Sequence, residues 1–327
     1  MSNKRLRVVL GTLSMLAALS FLISFEVLAA EPDTRNYPAR PIMLYTPFPG
    51  YNDVMARVIS EKMAQDLGQA IVVQNLPGGS GGVAAAKVKA AAADGYTLLY
   101  GSNGMFTVSE LFNPKMEYKP ADFAPISLAY VQPMLLLVST SLPVKNLTEL
   151  IAYAKANPDK LTFGSSGVGT ITHVAGEVLK STTGAPISHI PYKGTAQALT
   201  DLIGGRIDLL FFPPEEAMQY INSNKVKVFA VSTKERSRLA PDVPTLVELG
   251  YPNFDVKVWY GFFAPAKTPK PVIQTLQKAI AKAIKALDLD VKDMSGGGNT
   301  SAAYEQMIRD DRASLGKLIK DSTITLN

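Results

Sequence analysis

The chain of 327 residues is 47% hydrophobic and 19% charged, with 33 Lys and Arg against 28 Asp and Glu. This is globular content, and the weak, dispersed positive balance excludes the basic stripe of a nucleic-acid binder. The absence of cysteine excludes thiol catalysis and thiolate metal sites.

Lys4, Arg5 and Arg7 precede the apolar run VVLGTLSMLAALSFLI, and Leu28-Ala29-Ala30 supplies small residues before Glu31. A basic head, an apolar middle and a small-residue exit predict a secretory signal peptide over residues 1–30. Cleavage after Ala29 or Ala30 leaves a periplasmic chain. The competing reading is a retained anchor, for which the run is nearly long enough. No later segment reaches the ~18 apolar residues of a membrane span.

Beyond it, strand-like and helix-like runs alternate. Strands are predicted at 41–46, 70–74 and 97–100, and helices at 53–67 and 82–93 with a Gly-rich turn ahead of the second. The order β-α-β-α-β predicts a mostly parallel sheet covered by helices. The rhythm restarts past Pro133. Strands are predicted at 134–139, 161–163, 188–190, 207–211 and 227–231, and helices at 147–156, 171–180 and 196–203. An extended crossing at 256–264 and a long helix at 272–286 follow. The order fits two α/β lobes joined by crossings near 131–136 and 255–262. Lobe 1 takes 37–133 plus 259–327, and lobe 2 takes 134–258. Ligands of such sheets lie beyond the carboxyl ends of the strands, in a cleft between the lobes.

Residues 162–179, TFGSSGVGTITHVAGEVL, place small residues just ahead of a helix. A phosphate loop fails because Thr170 stands where its lysine belongs, and a dinucleotide loop fails at Thr172. The serine elbow fails at Val168. Two readings stay open on the residues alone. The turn is capped by its own hydroxyls, or its bare amides bind an anion at the positive end of the helix. Upstream, Gly78-Gly79-Ser80-Gly81-Gly82 does match G-x-S-x-G between a strand and a helix, which makes Ser80 a candidate nucleophile of a secreted serine hydrolase. The partner base is missing from the pattern, since His173 and His189 stand in no marked context. The two histidines, sixteen residues apart with no carboxylate cluster, form no recognisable metal site.

A series of stretches carries a family resemblance. Tyr37-Pro-Ala-Arg-Pro-Ile, Gln74-Asn-Leu-Pro-Gly-Gly and Asp94-Gly-Tyr-Thr-Leu-Leu come first, followed by Phe123-Ala-Pro-Ile-Ser. His173-Val-Ala-Gly-Glu, Ile190-Pro-Tyr-Lys-Gly, Asp242-Val-Pro-Thr and Gly261-Phe-Phe-Ala-Pro-Ala-Lys-Thr-Pro continue the order across residues 37–280. The chain resembles the periplasmic solute-binding receptors of tripartite tricarboxylate transporters, the Bug-type receptors. The resemblance implies a two-lobe, periplasmic-binding-protein-like (type II) α/β fold, a small organic carboxylate as ligand, no cofactor and no catalysis. Its implied partners are membrane transporter subunits or a sensor protein, approached by a monomer.

In similar receptors two strand-to-helix turns pinch one carboxylate. The first would be Phe48–Asp53, with Phe48, Tyr51, Asn52 and Asp53 at the ligand. The second would be Gly164–His173, with Ser165, Ser166, Gly167, Val168, Gly169, Thr170, Thr172 and His173. Ser102 and Asn103 after the third strand, and Tyr192, Lys193 and Gly194 in the second lobe, complete the implied site. Simpler roles compete: capping for Asp53, an Asn-Gly turn for Ser102 and Asn103, solvation for Lys193, and a helix-start hydrogen bond for His173. The chain departs from the family pattern in three places. Phe48–Asp53 is short and bulky where glycines are usual, which puts amide contacts from Tyr51 and Asn52 in question and lets Tyr51 wall off the pocket. Phe212-Pro213-Pro214 predicts an apolar wall, and Gly296-Gly297-Gly298 replaces an expected helix and strand.

Overall fold

A computed structural model describes residues 36–109, 116–289 and 293–321. The expected signal peptide lies outside these residues. In the first half, β1 (Ile42–Thr46), β2 (Ile71–Asn75) and β3 (Thr97–Ser102) are joined through helices α1 (Tyr51–Leu67) and α2 (Gly82–Lys89). Strand β1 lies between β2 and β3 and runs parallel to both. Helix α1 stops where Gly68 takes a left-handed turn, φ 66°, and its amide reaches back to the Ala64 carbonyl.

The first sheet is completed by β4 (Phe123–Gln132) and β10 (Val258–Pro265), in the order β2-β1-β3-β10-β4. Strand β10 runs antiparallel to β3 and β4, so the sheet is mixed where the rhythm predicted a mostly parallel one. The cause is that β10 enters from the other sheet rather than from a helix on this one. Pro125 within β4 sits opposite Phe263, where the ladder register shifts, a place that tolerates a residue without an N–H.

The second sheet has the order β7-β6-β8-β5-β9. Its strands are β5 (Leu135–Ser139), β6 (Leu161–Ser165), β7 (Ile187–Pro191), β8 (Leu209–Phe212) and β9 (Val226–Val231). Helices α3 (Leu147–Ala156), α4 (Ile171–Thr183), α5 (Thr195–Ile203) and α6 (Pro214–Asn222) connect them. Here too the crossing strand is antiparallel: β5 opposes β8 and β9, while β6 is parallel to β7 and β8. The chain passes from one sheet to the other between Gln132 and Leu135 and returns between Val231 and Val258.

Two C-terminal helices, α7 (Lys270–Leu287) and α8 (Ser301–Asp321), return to the first sheet. Helix α7 packs on α1, and α8 packs on β4. Trp259 is fully buried beneath α8 and donates its indole N–H to Asp311 Oδ2 at 2.9 Å. The glycine run before α8 follows the free edge of β4. Ser295 and Val131 exchange backbone bonds, and Gly298 N–H donates to the Leu128 carbonyl at 2.9 Å. A Cβ on Gly297 would lie 1.9 Å from the Ala129 carbonyl oxygen, so only glycine lets this segment cover the edge so closely. Among the described residues no helix is long and apolar enough to cross a membrane.

Candidate ligand-binding site

A cavity of about 710 Å³ opens between the two sheets. Most of its lining comes from segments at the carboxyl end of a strand: Pro47–Pro49 after β1, Pro77–Gly81 after β2, Ser102 at the end of β3, Ser166 after β6, Tyr192 after β7 and Pro213 after β8. This is where open α/β sheets expose uncompensated backbone groups.

Of the residues singled out from the sequence, Phe48, Asn52, Ser102, Ser166, Gly167, Thr170, Thr172, Tyr192, Lys193 and Gly194 line this cavity. Tyr51, Asp53, Asn103, Ser165, Val168, Gly169 and His173 do not, each for a local reason. Tyr51 is the first residue of α1 and sends its hydroxyl across the cleft to Glu215 Oε1 at 3.1 Å. It therefore ties the halves together and does not wall the pocket. Asp53 turns to Arg57, one helical turn on, at 2.7 Å. Asn103 is fully buried and donates to the Lys257 carbonyl. Ser165 turns to His189 Nε2 at 2.7 Å, Gly169 N–H donates to His173 Nδ1 behind the loop, and the Val168 side chain is exposed.

Sequence reasoning did not place Met134, Val258 and Tyr260 in the cavity, nor the loop Pro77–Gly81 as part of its wall. Tyr260 belongs to the crossing strand and stacks on Tyr100 with ring centroids 5.7 Å apart. The Gly-rich turn at 78–82 was legible as a turn, but only its approach to the other sheet makes it a wall. Ser80 Oγ donates to the Val168 carbonyl at 3.0 Å, across 88 positions of sequence. Its hydroxyl is thus turned to an acceptor that is no base. The histidines engage Ser165 Oγ and Gly169 N–H instead. Ser80 adopts φ 52°, ψ 34°, a left-handed conformation between glycines.

The loop at 165–172 spends several of its amides on itself. Ser166 N–H donates to Thr172 Oγ1 at 3.0 Å, Gly167 N–H to Ser165 Oγ at 3.1 Å, and Gly169 N–H to His173 Nδ1 at 3.2 Å. Thr170 Oγ1 donates to the Gly167 carbonyl at 2.7 Å. The expectation of a run of bare amides therefore needs revision. The amides left to the cavity are those of helix first turns, which have no acceptor within the helix.

Three helices present such turns. Helix α1 begins behind Gly50, α4 behind Thr170 and α5 behind Gly194, and none has a side-chain cap. Asn52 of α1, Ile171 and Thr172 of α4, and Thr195 and Ala196 of α5 all line the cavity. By contrast α3, away from the cavity, is closed by Asn146 Oδ1 accepting from Glu149 N–H at 2.9 Å. Each open helix end carries about half a positive charge. Helix α6 also points its start this way, at Pro213, but its first turn holds Glu215 and Glu216. Burial lifts Glu216 to about pH 7, well above the ordinary carboxylate range.

Among the described residues the lining contains no acidic side chain, and Lys193 is its one charged residue. Phe48, Met134, Ile171, Val258 and Tyr260, with four prolines, supply the apolar wall. Asn52 is held beneath it by the Tyr130 hydroxyl, which donates to Asn52 Oδ1 at 3.1 Å. Tyr192 turns its hydroxyl away to Asp201 Oδ2 at 2.8 Å, and burial with this bond pushes it up to about 12. The arrangement can hold an anion by amides and hydroxyls and shield an apolar body. Among the described residues no cluster of three or more His, Asp and Glu could hold a metal ion.

An acid-free, amide-lined cleft between two α/β sheets defines a two-lobed solute-binding protein. Residues 55–324 match the tripartite tricarboxylate transporter family receptor, and the chain belongs to that family. Protein BugT of Bordetella pertussis is 35% identical over 276 residues, 83% of this chain and 85% of BugT. A solved R. palustris protein with adipate superposes with a TM-score of 0.83 at 31% identity, covering 88% of this chain and 99% of that one. MatC from Rhodopseudomonas palustris, with bound malate, gives 0.80 at 29% identity, covering 86% and 100%.

Proposed function

We propose that this protein is an extracytoplasmic receptor that closes its two sheets on a small organic carboxylate and delivers it to a tripartite transporter in the membrane. The observation that carries this reading is the convergence of three uncapped helix starts on one cavity that lacks any acidic side chain. One carboxylate sits at the starts of α1 and α4, with Asn52, Ser166, Thr170 and Thr172 as neutral partners. The start of α5 with Lys193 receives a second polar group, and the apolar wall covers what lies between. Adipate and malate in two structural relatives support the chemical class. Residues 1–30 export the chain, which acts in the periplasm, as a monomer and without catalysis. The bonds Ser80–Val168 and Tyr51–Glu215 span the cleft and support closure of the two sheets on the ligand.

A thermal-shift panel of mono-, di- and tricarboxylates, aromatic acids and amino acids tests this. A true ligand at about one hundred times its dissociation constant adds about 2.7 kcal/mol of stability, a shift of several degrees. The shift disappears when the carboxylates are amidated. No shift from any acid, together with ester hydrolysis that is lost in Ser80→Ala, would overturn the receptor reading in favour of a hydrolase.

A further inference from the structure

Two imidazole rings lie behind the loop Ser165–Thr170, and neither lines the cavity. His173 of α4 and His189 of β7 stack with centroids 4.0 Å apart and 24° between their planes. Phe163 of β6 extends the stack on His189 at 4.8 Å. Each imidazole grips the loop at one point. Gly169 N–H donates to His173 Nδ1 at 3.2 Å, and Ser165 Oγ lies 2.7 Å from His189 Nε2. Ser165 Oγ also accepts from Gly167 N–H at 3.1 Å. Gly167 and Gly169 stand at φ 130° and 75°, a left-handed path that glycine takes without strain.

We propose that His173 and His189 are positioning residues for the carboxylate loop, fixing Gly169 and Ser165 from behind, and that His173 does so only as a neutral ring. The inference rests on the reading of this loop as part of the carboxylate cradle. A proton on His173 Nδ1 would set a donor against the Gly169 N–H, and two imidazolium rings 4.0 Å apart would repel. Lys180, paired with Glu177 at 3.2 Å on α4, is the charged side chain that acts on both rings, and β6 presents Phe163 and Ser165. Burial holds both histidines down at about 4, with Lys180 acting in the same direction on each. The loop thus keeps its shape through moderate acidification and loses it when the rings charge.

The chain has two histidines, so its ring C–H resonances are a clean probe of the unliganded protein. Both are expected to titrate well below 6.5. Amide hydrogen exchange of Gly169, corrected for intrinsic rate, should accelerate about tenfold as the rings charge, the worth of one hydrogen bond. His173→Leu should show the fast exchange already at pH 7, and His173→Gln, which retains an acceptor, should restore protection. Either histidine titrating near 6.5, or Gly169 exchange that ignores ring charge, overturns the proposal. If His173→Leu does not fold, the wild-type titration and exchange still decide. Both readouts are taken without a carboxylate, so their failure leaves the receptor reading standing, and a failed ligand panel leaves them intact.

Discussion

At the scale of single residues, glycine and titratable groups carry the clearest consequences. A Cβ on Gly261 would lie 2.1 Å from the Tyr304 hydroxyl and 2.9 Å from the Ser127 carbonyl. Gly261→Ala should cost about 1–3 kcal/mol by overpacking, read as a lowered urea midpoint at unchanged slope. The pH dependence has two opposing sources. Glu216 is lifted from 4.5 to about 7, so the folded chain binds more protons than the unfolded one in that window, and stability falls as pH rises through it. His173 and His189 are lowered from 6.5 to about 4, so stability is lost as pH falls through that range. Between pH 4 and 6.5 the two histidines outweigh Glu216, so the melting temperature should rise with pH there and level off near pH 7. Glu216→Gln should steepen that rise, as thermal scans from pH 4 to 8 would read. Lys193 is exposed, and Lys193→Met should weaken binding of a dianionic ligand by about fivefold at low salt, less at high salt. A calorimetric titration at two salt concentrations checks this.

At the scale of elements, the site is a set of helix starts held at fixed places by strand ends. Sequence patterns located α1, α4 and α5 to within a few residues, because apolar spacing and small residues ahead of a helix are local signals. What those helix starts face is decided elsewhere. Strand β4 escaped notice because Pro125 breaks its pattern, and only the register shift opposite Phe263 shows how the ladder absorbs it. Helices α6 and α8 were likewise missed, while the glycine run at 296–298 read as a deletion and proves to be a cover for the β4 edge. The two cross-cleft bonds are an element-level property too. Ser80→Ala and Tyr51→Phe each remove one hydrogen bond across the cleft, worth about 1 kcal/mol. Each should speed ligand release about fivefold with little change in association, measured by stopped-flow.

At the scale of the whole molecule, the amino-acid sequence by itself determined the α/β alternation, the restart past Pro133 and the family. These follow from hydrophobic period and turn chemistry, which act over a few residues. It also led to the expectation that carboxyl-end loops carry the site, and Phe48, Asn52, Ser166, Thr170 and Thr172 line one cavity. The tertiary structure alone decided which way neighbouring residues turn. Asp53 follows Asn52 directly yet pairs with Arg57, since successive helix positions lie about 100° apart around the axis. His173 follows Thr172 and faces backwards for the same reason. Tyr260 and the Ser80 loop enter the site through contacts between segments far apart in the chain, and no local pattern encodes such contacts. The fold was legible because periodicity is local; the shape of the binding surface was not, because it arises where two sheets meet.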